Sequence, residues 1–280
     1  MLVGAIALIA WRAHALTRSG AIAAFVVGAL TYAGGGIGFT LVLLAFFLPS
    51  VVLSRIGKAR KRELVDIGKG GARDALQVLA NGGVATVCAI GWAVTHDIGW
   101  ALAFAGAYAA STADTWATEV GTLARRAPRS ILTLRPLPTG MSGGITVHGS
   151  LAGIAGALWI GFVTPPALVT RYGPGTFVGG SLASEPIVDI ILFVSSFAVV
   201  AVVLAGIAGA TLDSLLGATL QELRRCDTCG RTCETNPHVC GSPTTLIRGL
   251  PGFSNDIVNF GASLTGAIVA PLVYNVLLAR

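Results

Sequence analysis

The chain has 280 residues, of which 54% are hydrophobic and 11% charged, with a net charge of +6 and a mean hydropathy of +0.77. Soluble domains carry about 25% charged residues, so this composition excludes an ordinary soluble domain and predicts an integral membrane protein. Only helices or a closed barrel satisfy backbone polar groups in lipid. The apolar runs are long, continuous and do not alternate, which predicts an all-α chain. The Gly and Ala content suits close helix contacts in lipid.

Eight apolar segments follow one another, at about 1–16, 20–34, 37–54, 76–95, 98–120, 145–168, 187–220 and 256–278. The range of seven to nine spans brackets this reading, because the first two segments are short or Gly-rich. Met1–Ala10 lacks a basic start and does not read as a cleavable signal peptide. The 19 Lys and Arg residues, Arg171 and Arg280 apart, fall in loops that eight spans place on one side. By the positive-inside rule that side is cytoplasmic, and both termini lie opposite. The basic charge therefore marks topology rather than a nucleic-acid partner. The expected organisation is one polytopic membrane domain over 1–280, with a cytoplasmic Cys-rich insertion at 222–250.

Polar motifs then collect at the cytoplasmic ends. Lys69-Gly-Gly-Ala-Arg73 precedes the fourth span, and Asn81-Gly82-Gly83 lies near its start. The run Lys58–Arg62 reads as a topology signal or a lipid head-group contact. The fifth span ends in Ser111-Thr-Ala-Asp-Thr-Trp-Ala-Thr-Glu-Val-Gly121. An ionisable group at membrane depth costs roughly 2.5–3.5 kcal/mol on insertion scales, so it is a functional hypothesis by default. Ser111, Asp114, Thr115 and Thr118 share a helix face at i, i+3, i+4 and i+7. Glu119 points about 140° from Asp114 on an ideal helix. It joins that face only if the helix ends or bends, or it acts from behind.

The sixth span is entered through Pro138-Thr139-Gly140-Met141-Ser142-Gly143-Gly144, a turn rich in backbone N–H groups that suits an anion. It is not a Walker A loop, since no Gly-Lys-Ser/Thr follows. Arg135 stands before it, and Lys69, Arg73 and Arg135 are the cations expected to neutralise phosphate oxygens. The seventh span carries Thr211-Leu-Asp213-Ser214, and the eighth opens with Asn255-Asp256 and Asn259. Asp114, Asp213 and Asp256 are thus three carboxylates on three helices at one depth, hard oxygen ligands suited to Mg²⁺ that shares its shell with phosphate. The plainer reading of Asp256 is a cap on the last helix. Ala113-Asp114-Thr115 and Leu212-Asp213-Ser214 each end an Ala/Gly/Val-rich helix, a faint echo of an internal duplication.

Cys226, Cys229, His238 and Cys240 have the spacing of a closed four-ligand structural Zn²⁺ knuckle, with Cys233 as a spare. Free thiols in a loop are the plainer alternative.

Several of these stretches together resemble the domain-of-unknown-function 92 family of membrane proteins, which includes a chloroplast phytyl-phosphate kinase. They are Asp66–Asp74, Asn81-Gly-Gly, Ser111–Gly121, Pro138–Thr146, Ala210–Ala218 and Asn255–Asn259. The resemblance covers most of the chain. It implies transfer of the γ-phosphoryl group of a nucleoside triphosphate, CTP, to a prenyl monophosphate, with Mg²⁺ held by carboxylates and the prenyl tail in a lipid-embedded groove. Asp114, Asp213 and Asp256 are the expected catalytic, metal-holding residues. Lys69, Arg73, Asn81, Ser111, Thr115, Thr118, Glu119, Arg135, Thr139, Ser142, Gly143, Gly144, Ser214, Asn255 and Asn259 are the expected phosphate and substrate contacts. The expected setting is a prokaryotic plasma membrane with a cytoplasmic active face. The other readings are a CTP-dependent lipid nucleotidyltransferase, which would use the same parts, and a transporter, whose polar residues would sit at mid-membrane.

Overall fold

The computed structural model describes residues 2–57, 71–172 and 187–279. Among them run seven helices: α1 (Leu2–Arg12), α2 (Arg18–Arg55), α3 (Ala75–Thr95), α4 (Ile98–Gly121), α5 (Val147–Tyr172), α6 (Ile187–Thr219) and α7 (Asn255–Leu278). A two-stranded antiparallel ribbon, β1 (Arg129–Ser130) with β2 (Gly144–Ile145), joins α4 to α5. Between α6 and α7 lies an antiparallel sheet of β3 (Leu223–Cys226), β4 (Thr232–Cys233) and β5 (Thr244–Arg248), in the order β4-β3-β5. The protein is a helical membrane protein with little strand.

The second and third apolar segments are one helix of 38 residues, α2, interrupted at Gly36. A straight helix of that length would span about 57 Å at 1.5 Å per residue. Instead, Arg55 Nη2 donates to the Ala13 carbonyl at 3.0 Å, so the end of α2 returns beside its own beginning. The reversal falls at Gly36, whose φ of 63° and ψ of −148° lie where only glycine is comfortable. Gly36→Ala is expected to cost about 1–3 kcal/mol, read as a lower thermal-unfolding temperature of the detergent-purified protein.

The connections sort into two ends. At one, the Thr17 N–H donates to the Arg73 carbonyl at 3.0 Å and Leu16 bridges Arg73. Gly57 lies against Leu123 there, and Asp74 starts α3 through a capping box with Gln77. At the other, Gly34 abuts the Ala89 carbonyl, and His96 and Asp97 close α3 and open α4.

Helix α4 is the axis of the bundle, buried without a break from Ala101 to Ala113. Phe39 and Phe46 of α2 stack on it, against Phe104 at 4.2 Å and Tyr108 at 5.4 Å between ring centroids. Gly106 of α4 and Gly266 of α7 face each other so closely that a Cβ on either would overlap the other's carbonyl. Small residues thus let two backbones converge where lipid offers no hydrophobic drive between helices. Among the described residues, five helices are long and apolar enough to cross a membrane, in α2, α3, α5, α6 and α7. Helix α4 falls outside that set because its Ser/Thr/Asp-rich end lowers its hydropathy, and its neighbours, not lipid, cover it.

Candidate functional site

The carboxyl pair is set by a contact one helical turn below it. Gly209 of α6 lies against Ala110 of α4, where any Cβ would overlap the alanine methyl. Asp213 and Asp114 each stand four residues further on, one turn along helices that both head for the same end. Their carboxyl groups meet in side-chain hydrogen-bonding contact. Asp213 Oδ1 is buried and has no hydrogen-bond partner among the described residues. Two carboxyls in contact, one with an orphaned buried oxygen, form a hard-oxygen donor set that fits a divalent cation.

Gly209 also abuts the Ala262 carbonyl of α7. Asp256 stands six residues earlier on that helix, about 9 Å along the axis, and is 8% exposed. Ser254 is the N-cap of α7, so Asp256 is a buried first-turn residue and not the cap itself. Asn255 is exposed and Asn259 half-buried.

On α4, the Ser111 hydroxyl donates to the Asn81 carbonyl at 3.1 Å, tying α4 to α3. Thr115 is half-buried and Thr118 exposed. The helix stays intact through Gly121, and the Glu119 carboxylate acts electrostatically on both Asp114 and Arg73. Arg73 is held by its backbone, its N–H donating to the Ala15 carbonyl at 3.0 Å. Burial lowers the affinity of its guanidinium for its proton, while Glu119 supports the charge. Lys69 and the Lys58–Arg62 run lie outside the described residues.

The Gly-rich turn closes the β1–β2 ribbon and rests on the end of α6. Gly143 has a φ of 81° and fits against Ala218 so tightly that a Cβ would overlap it. The turn's donors meet a residue that the sequence motifs did not single out. The Ser142 N–H donates to Glu234 Oε1 at 3.3 Å, and the Ser142 hydroxyl bonds to the same oxygen. Gln221 Nε2 donates to Glu234 Oε2 at 2.7 Å. Arg248 Nη2 donates to the Gly217 carbonyl at 2.9 Å, and its charge acts on Glu234. The Glu234 carboxylate in turn acts on Asp213. Glu234, held by Gln221 and influenced by Arg248, therefore links the Gly-rich turn electrostatically to Asp213. Thr139 is half-buried, Gly144 pairs with Ser130 in the ribbon, and Ser214 is half-buried beside Asp213. Arg135 is exposed towards the ribbon's tip, where its carbonyl accepts from the Ser130 N–H at 2.9 Å.

Burial raises the Glu234 carboxyl from 4.5 to about 7, against the opposing pull of Ser142, Arg248 and Gln221. A carboxyl raised in the folded state holds its proton more tightly folded than unfolded. Its contribution is thus most favourable at low pH and declines as pH climbs from the unfolded value of 4.5 through about 7. Glu234→Gln is expected to flatten that part of the pH profile of thermal stability. An unchanged slope would mean that Glu234 does not titrate there.

In the Cys-rich loop, the ligand atoms of Cys226, Cys229, His238 and Cys240 all lie within 4.8 Å of one another. Cys226 and Cys240 sulfurs are 3.6 Å apart, Cys229 Sγ is 3.5 Å from His238 Nδ1, and His238 Nδ1 is 2.9 Å from Cys240 Sγ. A tetrahedral Zn–S bond of about 2.3 Å puts two sulfurs about 3.7 Å apart, so the four residues fit zinc. His238 lowers the Cys240 thiol to about 6, towards the thiolate that a metal needs. Cys233 is buried outside the cluster, its Sγ 3.5 Å from the Thr235 carbonyl. Glu234 follows Cys233 directly, so the fold of this loop decides where Glu234 stands.

Comparison with known proteins adds relatives without assigned chemistry in their names. Protein PGR of Arabidopsis thaliana is 32% identical over 277 residues, 90% of this chain and 88% of that protein. The uncharacterized membrane protein MJ0933 of Methanocaldococcus jannaschii is 27% identical over 279 residues, covering 98% and 92%. Protein VTE6, chloroplastic, of Arabidopsis thaliana is 27% identical over 166 residues, 54% of this chain and 49% of its own length. No solved structure matches. The family model described as integral membrane protein DUF92 matches residues 1–267, and the chain therefore belongs to the DUF92 family of integral membrane proteins.

Proposed function

We propose that this protein is a membrane-embedded prenyl-monophosphate kinase, which moves the γ-phosphoryl group of a nucleoside triphosphate, CTP in this reading, to a prenyl monophosphate. The observation that carries it is the contact between Asp114 and Asp213 at the end of two helices, with a buried, unpartnered Asp213 oxygen. Similarity to VTE6 supports the prenyl-phosphate substrate class through the family resemblance. Asp114 and Asp213 would hold Mg²⁺, which supplies charge neutralisation for the nucleotide phosphates, whereas Asp256 of α7 does not form a close three-ligand group with them among the described residues.

The chain's own residues then bind and orient. Arg73, which acts with Glu119, and Arg248, which acts on Glu234, would supply positive charge near the carboxyl pair, with Lys69 and Arg135 as further candidate cations. Ser111, Thr115, Ser214 and Asn81 line the face with neutral polar groups. A phosphate oxygen of the acceptor forms the new bond to the γ-phosphorus, the bond from that phosphorus to the β,γ-bridging oxygen breaks, and the nucleoside diphosphate leaves. The acceptor oxygen is already anionic, so no general base is needed. This suits a site built of carboxylates and donors without a histidine. Cys226, Cys229, His238 and Cys240 would hold Zn²⁺ as a structural clamp on the 222–250 insertion of an otherwise single membrane domain. In this reading the active face would lie on the cytoplasmic side, where the positive-inside rule puts the basic loops, and the membrane would be a prokaryotic plasma membrane.

The test uses detergent-purified protein, Mg²⁺, each nucleoside triphosphate labelled at the γ-phosphate, and prenyl monophosphates. Label in a prenyl diphosphate is the expected result. Label released as pyrophosphate, with unlabelled nucleoside monophosphate found on the lipid by mass spectrometry, would replace the kinase by a nucleotidyltransferase. No transfer, beside an active lipid-phosphate kinase, would overturn both.

A further inference from the structure

Close to Asp213 lies a set of anion donors that a side chain of the protein itself already occupies. Glu234 Oε1 accepts from both the Ser142 N–H and the Ser142 hydroxyl, and Glu234 Oε2 accepts from Gln221 Nε2 at 2.7 Å. Ser142 belongs to the Gly-rich turn, which is seated where Gly143 fits against Ala218. Gln221 follows α6, and Arg248, whose charge acts on Glu234, ends β5. Donors and charge from three separate stretches thus converge on one carboxylate.

The set is larger than its occupant. Arg248 Nη2 donates to the Gly217 carbonyl at 2.9 Å, but Arg248 Nε is buried and has no hydrogen-bond partner among the described residues. A buried N–H without an acceptor is costly, so it marks a place where an acceptor is wanting. A carboxylate offers two oxygens, and both are engaged here; a phosphate group offers three. The Gly217 carbonyl belongs to the last turn of α6, whose carbonyl end repels an anion. Arg248 covers that carbonyl and so makes the helix end acceptable to one. Nor is Glu234 held as a permanent ion partner would be. Burial raises its carboxyl to about 7, so the donors do not offset its loss of water. Glu234 is half-buried and follows β4 directly, so its side chain can turn out without parting the sheet.

We propose that Glu234 is a built-in stand-in for a phosphate: the seat made by Ser142, Gln221 and Arg248 takes a terminal phosphate group in exchange for the Glu234 carboxylate, which closes the seat while no substrate is bound. That the incoming group is a phosphate rests on the kinase reading. That the seat holds an exchangeable carboxylate rests on its hydrogen bonds and on the unmet Arg248 donor. Ser142 and Gln221 keep an acceptor before and after the exchange, and the third phosphate oxygen accepts from Arg248 Nε. The tethered carboxylate competes at high effective concentration. The seat is therefore closed to free phosphate and opens to a group that the neighbouring carboxyl site also holds. Glu234 and Arg248 both come from the 222–250 insertion, so loss of its sheet would remove the cation together with the stopper.

The experiment measures binding without turnover, on the full-length purified protein with no added Mg²⁺. Inorganic pyrophosphate is titrated calorimetrically against the wild type, Glu234→Ala and Glu234→Gln. It is also titrated against Glu234→Ala combined with Arg248→Gln or with Ser142→Ala, and melting temperatures report whether each fold survives. An occupant that leaves the seat open for less than about a tenth of the time weakens apparent affinity about tenfold or more, and Glu234→Ala is expected to recover that factor. Glu234→Gln, which keeps the shape and loses the charge, should move the same way by less. Arg248→Gln and Ser142→Ala should each cancel most of the gain. A non-hydrolysable nucleoside triphosphate and farnesyl monophosphate are then compared on the wild type and Glu234→Ala, and the ligand that shows the gain names the phosphate seated there. Unchanged pyrophosphate affinity in folded Glu234→Ala and Glu234→Gln overturns the proposal. So does a gain that survives both double variants, since it then lies elsewhere. Unfolding of both single variants would make Glu234 a structural clamp and overturn it as well. A gain cancelled by Arg248→Gln, with no phosphoryl transfer by the wild type from any donor, would keep the exchange and remove the kinase. Transfer by the wild type with no gain in either single variant would do the reverse.

Discussion

Asp213→Asn is expected to reduce phosphoryl transfer by at least about 10²–10³-fold, the loss that follows removal of one preorganised charge-stabilising group. Asp114→Asn should match it. The two carboxyls act as one unit, so the double variant should be scarcely worse than either single one. Stability should move the other way from activity. Two carboxyls in contact at the end of a buried helix are costly at membrane depth, and an Asn removes one charge while keeping the shape. The melting temperature is therefore expected to hold or rise as the rate collapses. A variant that stays fully active would remove the pair from the chemistry. A variant that loses activity only because it no longer folds would make the pair structural.

The second large effect concerns the loop. Elemental analysis of purified protein is expected to find about one zinc per chain, and Cys226→Ser to abolish it, whereas Cys233→Ser should retain it. Structural zinc sites in small domains contribute on the order of 10–16 kcal/mol of apparent binding free energy. The strands β3, β4 and β5 span few residues and cannot replace that. Stripping the metal with a strong chelator should therefore release the loop and, with it, Glu234. Transfer is then expected to fall even though no cysteine touches the carboxyl pair. Cys226→Ser protein with undiminished zinc and activity would overturn the assignment. Glu234→Gln separates the two consequences, since it alters the group beside Ser142 and Gln221 without disturbing the cluster.

Helical membrane architecture follows from composition and run length alone, because lipid admits no unpaired backbone. The helix ends were legible to within a few residues, α2 included, where the chain reverses at Gly36 between the two expected segments 20–34 and 37–54. Cys226, Cys229, His238 and Cys240 were legible because ligand spacing in a short loop is local, and these are the four whose ligand atoms meet. Asp114 and Asp213 were each legible as charges out of place in apolar runs. Their contact was not: it depends on Gly209 fitting against Ala110, a relation between residues ninety-nine apart in sequence.

Glu234, Gln221 and Arg248 carried no signal, since an acid, an amide and an arginine in a polar loop are ordinary. Only the seating of Gly143 on Ala218 brings Ser142 to Glu234. The sequence determined the solvent, the helices and the out-of-place charges, each set by local composition. The tertiary structure decided which charges meet, because that depends on how closely small residues let distant backbones approach.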